Sequence, residues 1–382
     1  MRRTGLDRIK RYSCKTLVLV VFAIMGGGLA HPQVASANAS VALSQPLTVR
    51  WRYDSNLTLN LTPAFDAERI YLPLAGGLLV SLKATDGQLY WRAELGGELS
   101  ASPVADNHSV YVASVIESAA GVGGGDTGTL RALGREGGVT QWMRTLPAPL
   151  RGALTLVGNR LFGGSDDGRF YAINKETGET IWSVATGARF HGQPVVVKDR
   201  VYAGSDDGTL FAIDEASGRI VWRYRTRGPV RGPVAIAHGS VYFGSGDGYV
   251  YAVNSASGQR LWRKRTGAGV QAVTRVNDSI LVASLDNFVY LFSLSGSRVW
   301  KRQLPGRISA QPLTAADGAL FTPISSPAGV VLGLKDGRPV NSLPTGGEIT
   351  SSAAPIAVGD AVLVTTGHGL LAFAQPNPAP AK

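Results

Sequence analysis

Four side chains at one recurring position carry the chemistry that the sequence offers most plainly. Arg151, His191, Arg231 and Gln271 stand 40 residues apart in succession. Two guanidinium groups, an imidazole and a carboxamide all donate hydrogen bonds, so together they would hold an anion or an acidic segment of a partner. Ser100 and Ser309 take the equivalent place in flanking copies, and Arg225 and Arg227 lie in the adjoining connection. The competing reading is internal: the same arginines pair with nearby aspartates and staple one copy to the next.

A second chemistry is suggested by Asp166-Asp167-Gly168 and Asp206-Asp207-Gly208. Paired carboxylates are suitable ligands for Ca²⁺. Their recurrence at one point of consecutive copies fits a tight Asp-Gly turn better. The single cysteine, Cys14, precedes an apolar stretch, so the chain beyond it has no thiol nucleophile, disulfide or thiolate metal site. No Ser, His and Asp stand in an order that suggests a nucleophilic triad.

The elements that position these residues are set by a repeat. The seven tryptophans are Trp51, Trp91, Trp142, Trp182, Trp222, Trp262 and Trp300, spaced by 40, 51, 40, 40, 40 and 38. A period near 40 in a glycine-rich, β-rich chain is that of a four-stranded propeller blade. In the best-defined copy the strands are expected at Pro194 to Val197, Val201 to Gly204, Thr209 to Ile213 and Arg219 to Tyr224, joined by Gly-containing turns. A glycine stands four residues before each tryptophan except Trp51. A seventh copy has Asn341 where tryptophan is expected. The eighth, Pro355 to Phe373, stops after its third strand, and Thr48 to Arg52 supplies the missing outer strand. The expectation is an all-β, eight-bladed propeller of four-stranded antiparallel blades whose N-terminal strand closes the last blade and removes open edges. The 51-residue gap places an insertion, Glu117 to Thr127, between the second and third strands of blade two.

Residues 1–37 read differently. Arg2, Arg3, Arg8, Lys10, Arg11 and Lys15 precede an apolar run, Thr16 to Ala30, and then Ala35-Ser36-Ala37. That order reads as a secretory signal peptide cleaved near Ala37, with an uncleaved membrane anchor as the alternative, and the expected location is periplasmic or secreted. The propeller then occupies 38–375, and 376–382 is a disordered Pro/Ala tail. The net charge is +11 for the whole chain and +6 without residues 1–37. That surplus does not argue for nucleic acid. No lipid anchor is expected, because the cysteine lies on the wrong side of the apolar run.

Ala172 to Trp182, Ala212 to Trp222 and Ala252 to Trp262 each follow Ala-x-(Asn/Asp)-x-x-(Thr/Ser)-Gly-x-x-x-Trp. This resembles the tryptophan-docking motif of the pyrroloquinoline quinone (PQQ) repeat family over nearly all of residues 38–375. The resemblance implies that each tryptophan packs between neighbouring blades. It also implies one of two activities. Quinoprotein dehydrogenases hold PQQ and Ca²⁺ at the hub, using a carboxylate base, oxygen ligands and an aromatic platform. The other branch is non-catalytic and is represented by the outer-membrane β-barrel assembly propeller. Here all tryptophans are used by the repeat and the long insertions that build a quinone site are missing. The expectation is therefore a cofactor-free, monomeric scaffold that binds another envelope protein. A small quinoprotein oxidoreductase using PQQ and Ca²⁺ is the alternative. A carbohydrate-binding module is disfavoured, because aromatic residues fall at strand positions and not in loops.

Overall fold

The computed structural model describes residues 41–57, 61–117 and 125–376, and among them every regular element is a strand. The segments read as a signal peptide and a tail lie outside these residues, apart from Pro376 of the tail. Short strands rich in Val, Leu, Tyr and Ala alternate with Gly turns, so each stretch of about 40 residues closes as an antiparallel meander. Blade 4 is typical: its strands are Val195–Val197, Arg200–Gly204, Thr209–Asp214 and Ile220–Arg225, within a residue or so of expectation. Eight such sheets form, and in the eighth the order is Thr48–Asp54, Gly369–Ala374, Ala361–Thr366, Ile356–Val358. The N-terminal strand therefore closes the ring as expected. Trp51 sits opposite Ala372, just as Trp222 sits opposite Ala212 within its own blade.

One sheet departs from four strands. Ala101–Ser102 pairs in parallel with Gly152 and Ala153 on the inner strand of blade 3, making a fifth strand there. The cause is a bulge. That inner strand slips register between Arg151 and Thr155, and Gly152 adopts φ +74°, so its backbone turns away from its own partner and meets Ala101–Ser102.

The core is divided among eight wedges, one between each pair of adjacent blades. A tryptophan seals seven of them. Each indole N–H donates to a backbone carbonyl of the next blade, as in Trp182 to Glu215 (3.0 Å) and Trp222 to Ser255 (2.8 Å). The ring lies flat on the glycine of the next blade's hairpin. A Cβ built on Gly218 would lie 2.7 Å from the Trp182 ring, and one on Gly258 would lie 2.8 Å from the Trp222 ring. The glycine four residues before a tryptophan thus has two tasks: it makes its own turn at positive φ and seats the preceding blade's indole.

This explains Asn341. Blade 8 takes its outer strand from the other end of the chain, so it has no hairpin on which a blade 7 indole could rest. Val41, Leu43 and Leu47 fill the eighth wedge instead, all buried. Asn341 Nδ2 donates to the carbonyls of Leu43 (2.9 Å) and Gln45 (2.6 Å). Asp317 accepts from the backbone N–H of Leu43 (3.1 Å) and of Ser44 (2.7 Å). Burial pushes the Asp317 carboxyl up, but these bonds outweigh it and hold it below the usual carboxylate range. A depressed folded value means the contribution is complete above the unfolded value near 3.9 and is lost as pH falls through the folded one. Asp317→Ala is expected to lose about 2 kcal/mol at pH 7. Urea unfolding at a series of pH values should show the gap between variant and parent narrowing as the pH falls below the ordinary carboxylate value and through the lowered one. A gap that stays constant into acid would contradict the clasp.

Candidate functional site

Arg151 and Gln271 lie one residue into the inner strands Leu150–Val157 and Val270–Val276, whereas His191 and Arg231 precede theirs by four residues. All four line the central channel, a cavity of about 820 Å³ reached by residues of all eight blades. The recurrence at 40 residues therefore does bring them together. Their charges are not left free, however. Arg151 Nε donates to Asp166 Oδ2 (2.7 Å) and Arg231 Nε donates to Asp206 Oδ1 (2.7 Å). His191 sits between the two acids, with Nδ1 2.7 Å from Asp206 Oδ2 and Nε2 3.6 Å from Asp166 Oδ1. The result is a continuous run of alternating basic and acidic side chains, Arg151, Asp166, His191, Asp206 and Arg231, across blades 3, 4 and 5. Burial pushes the Asp206 carboxyl up. The Arg231 bond, with the charges of His191 and Arg231, outweighs this and brings it below its ordinary value.

The aspartate pairs divide their work. The first member of each pair, Asp166 or Asp206, serves this network. The second stays in its turn: Asp167 accepts from Arg169 N (2.9 Å) and the Tyr171 hydroxyl (2.7 Å). Asp207 accepts from Ser205 Oγ (2.7 Å) and Thr209 N (2.9 Å). Burial and the bond to Asp167 raise the Tyr171 hydroxyl well above the usual phenol range. The turn geometry accounts for the second carboxylate of each pair, Asp167 and Asp207.

Arg225 and Arg227 do not join the channel. Arg225 ends an outer strand, is largely exposed, and approaches Asp207 Oδ2 only to 3.7 Å. Arg227 donates its backbone N–H to Asp247 Oδ2 (3.1 Å) and leaves its side chain exposed. Sequence reasoning missed Arg189, Gln193 and Gln311, which also line the channel. Arg189 sits two residues before His191, where other copies have Pro149, Pro229 or Gly269, so alignment on the repeat would have exposed it. Among the described residues, the channel's two lining carboxylates are Asp166 and Glu98, and Glu98 Oε2 already accepts from Gly76 N (2.8 Å). Among the same residues its one Phe, Tyr or Trp is Phe65. Ser100 and Ser309 also line it, and their Oγ atoms are buried without a hydrogen-bond partner.

A ring of eight antiparallel blades, seven of its eight wedges sealed by a docked tryptophan, around a polar channel defines a quinoprotein-type β-propeller. Within that class, the chain belongs to the family described as outer membrane protein assembly factor BamB, whose profile matches residues 37–126, 126–293 and 246–377. Solved structures share the fold at low identity. BamB from Moraxella catarrhalis superposes with a TM-score of 0.71 at 16% identity, covering 88% of this chain and 100% of that one. The quinohemoprotein alcohol dehydrogenase from Comamonas testosteroni gives 0.72 at 11%, covering 91% and 80%. A europium-containing methanol dehydrogenase gives 0.74 at 11%, covering 89% and 96%. No curated protein sequence matches at a significant level.

Proposed function

We propose that the chain is a non-catalytic propeller of the cell envelope that works by protein–protein contact, in keeping with the outer-membrane assembly role that its family's description names. The observation that carries this reading is the scarcity of carboxylates among the residues that line the channel. A quinone-bound Ca²⁺ takes six to eight oxygen ligands. The described lining offers two carboxylates, Asp166 and Glu98, each with one oxygen already bonded, and Asp166 Oδ1 is buried without a hydrogen-bond partner. Among the described residues no group of three His, Cys, Asp or Glu side chains is placed to hold a metal. Phe65 is a narrow platform for a tricyclic quinone. These residues do not fit PQQ and Ca²⁺. What remains at the mouth is Arg189, Gln193, Gln271 and the second face of Arg231, a donor-rich rim that suits an acidic segment of an envelope partner.

The dehydrogenases are as similar in fold as BamB, so a quinoprotein oxidoreductase is the rival reading. Two experiments separate them. Crosslinking from the native envelope should recover a partner with the parent chain and lose it when Arg151, His191 and Arg231 are all changed to Ser, with circular dichroism showing the ring intact. Incubation with PQQ and Ca²⁺ should give no dye-linked oxidation of alcohols or sugars. Dye reduction above the protein-free control, or undiminished crosslinking, overturns the proposal.

A further inference from the structure

The charges outside the channel are unevenly shared around the disc. In blades 8 and 1 every described cation has a carboxylate: Arg50 with Asp360, Arg52 with Asp54 and Glu348, Arg69 with Glu136, Lys83 with Asp86, Arg92 with Glu94. On the other side of the ring, the outer strand of blade 5, Arg260–Arg265, carries Arg260, Arg263, Lys264 and Arg265 and no acid. The outer strand of blade 6, Arg298–Gln303, carries Arg298, Lys301 and Arg302 and no acid. Among the described residues none of these seven cations forms an ion pair; the pairs nearest in sequence belong to Arg225, His238, Arg275 and Arg338.

What holds several of them is aromatic or apolar surface. Lys301 Nζ lies 3.6 Å from the Phe288 ring centroid and 5.1 Å from that of Tyr290. The Tyr290 hydroxyl accepts from Gly267 N of blade 5 (3.2 Å), so this face of blade 6 looks across the crevice to blade 5. From the other wall, the Lys264 stem lies beside Trp262 over Gly296. Arg263 stacks on Tyr249, 4.8 Å from the ring centroid. Cation–π contact and stem packing orient these groups while leaving their charge uncompensated. Leu261 and Val299, the bulge residues of the same two strands, are each 54% exposed.

Charge on an exposed edge strand also discourages unwanted pairing. That role calls for charge on every edge, yet the outer strands Thr180–Ala185 and Pro339–Pro344 have none. A sector so rich in unpaired, oriented cations beside exposed aliphatic side chains is a complementary surface. We propose that the outer rim of blades 5 and 6 docks an extended acidic segment of a partner protein, with apolar residues interleaved to meet Leu261 and Val299. This surface is separate from the channel mouth.

The test uses the full chain and a fluorescein-labelled peptide of three Asp-Leu-Glu-Val repeats, followed by anisotropy at about 50 mM salt, where exposed charges are weakly screened. Arg260→Gln, Arg265→Gln and Arg298→Gln together should weaken binding at least about tenfold, or about 1.4 kcal/mol. The same charge removed elsewhere on the disc, by Arg169→Gln, Lys198→Gln and Lys335→Gln, should change it less than about threefold. The channel-mouth triple serine variant is measured alongside: a loss confined to it, with the rim variant unchanged, would assign the peptide to the mouth and overturn the rim proposal. Equal losses in the rim and control variants would mean diffuse attraction and overturn the proposal. It is equally overturned if the rim cations govern binding to phosphatidylglycerol vesicles and leave the peptide unaffected.

Discussion

Trp222→Ala is expected to lower the free energy of unfolding by about 3–5 kcal/mol. The indole is 8% exposed, fills the wedge between blades 4 and 5, and packs 5.9 Å from the Tyr202 ring. Truncation opens a cavity between two rigid sheets that are held by their neighbours around the ring, so the site collapses poorly. It also leaves the Ser255 carbonyl without its indole donor. Urea denaturation followed by far-ultraviolet circular dichroism measures the loss. A change under about 1 kcal/mol would show that the wedge does not depend on its indole.

The second large effect comes from the other side of the same contact. Gly258→Ala is expected to cost about 3 kcal/mol, although it adds one methyl group. Gly258 has φ +70°, where a Cβ costs roughly 1–2 kcal/mol. That Cβ would also lie 2.8 Å from the Trp222 ring, and overpacking of this kind costs roughly 1–3 kcal/mol. Combining Gly258→Ala with Trp222→Ala removes the steric part and leaves only the backbone part. The double variant should therefore be less destabilised than the sum of the two singles by about 1–2 kcal/mol. Strict additivity would deny that the glycine seats the indole.

The architecture was legible because its main stabilising contact uses a rare, large residue once per blade. Seven tryptophans at nearly even spacing give the blade period directly, and the truncated eighth copy together with Thr48 to Arg52 gives the closure. Spacing could not tell which blade a residue serves. Gly218 reads as the turn before Trp222, and nothing local shows that it also carries Trp182. The substitution at Asn341 was visible but not its reason, since Val41 to Leu47 belongs to no repeat and meets Asp317 across 273 or more residues.

The channel followed the same pattern. Period 40 placed Arg151, His191, Arg231 and Gln271 at one mouth. Which of them pair depended on side-chain reach to Asp166 and Asp206, a matter of ångströms that a repeat does not encode. The basic rim was hidden by summation. A modest net charge averages the unpaired cations of blades 5 and 6 with the neutralised ones of blades 8 and 1.

Closure by the N-terminal strand has a kinetic consequence. Thr48–Asp54 finds its partner, Gly369–Ala374, only after more than 300 intervening residues have been ordered. Bringing such distant segments together costs on the order of 5 kcal/mol in loop entropy, whereas each internal hairpin closes over a few residues. Individual meanders should therefore form early and zip to their neighbours, with the ring joining last and setting the overall refolding rate. Until it joins, Gly369–Ala374 presents an unprotected edge, and the same strand from another molecule would pair there as readily as its own. At high concentration, refolding should divert some chains into strand-exchanged dimers.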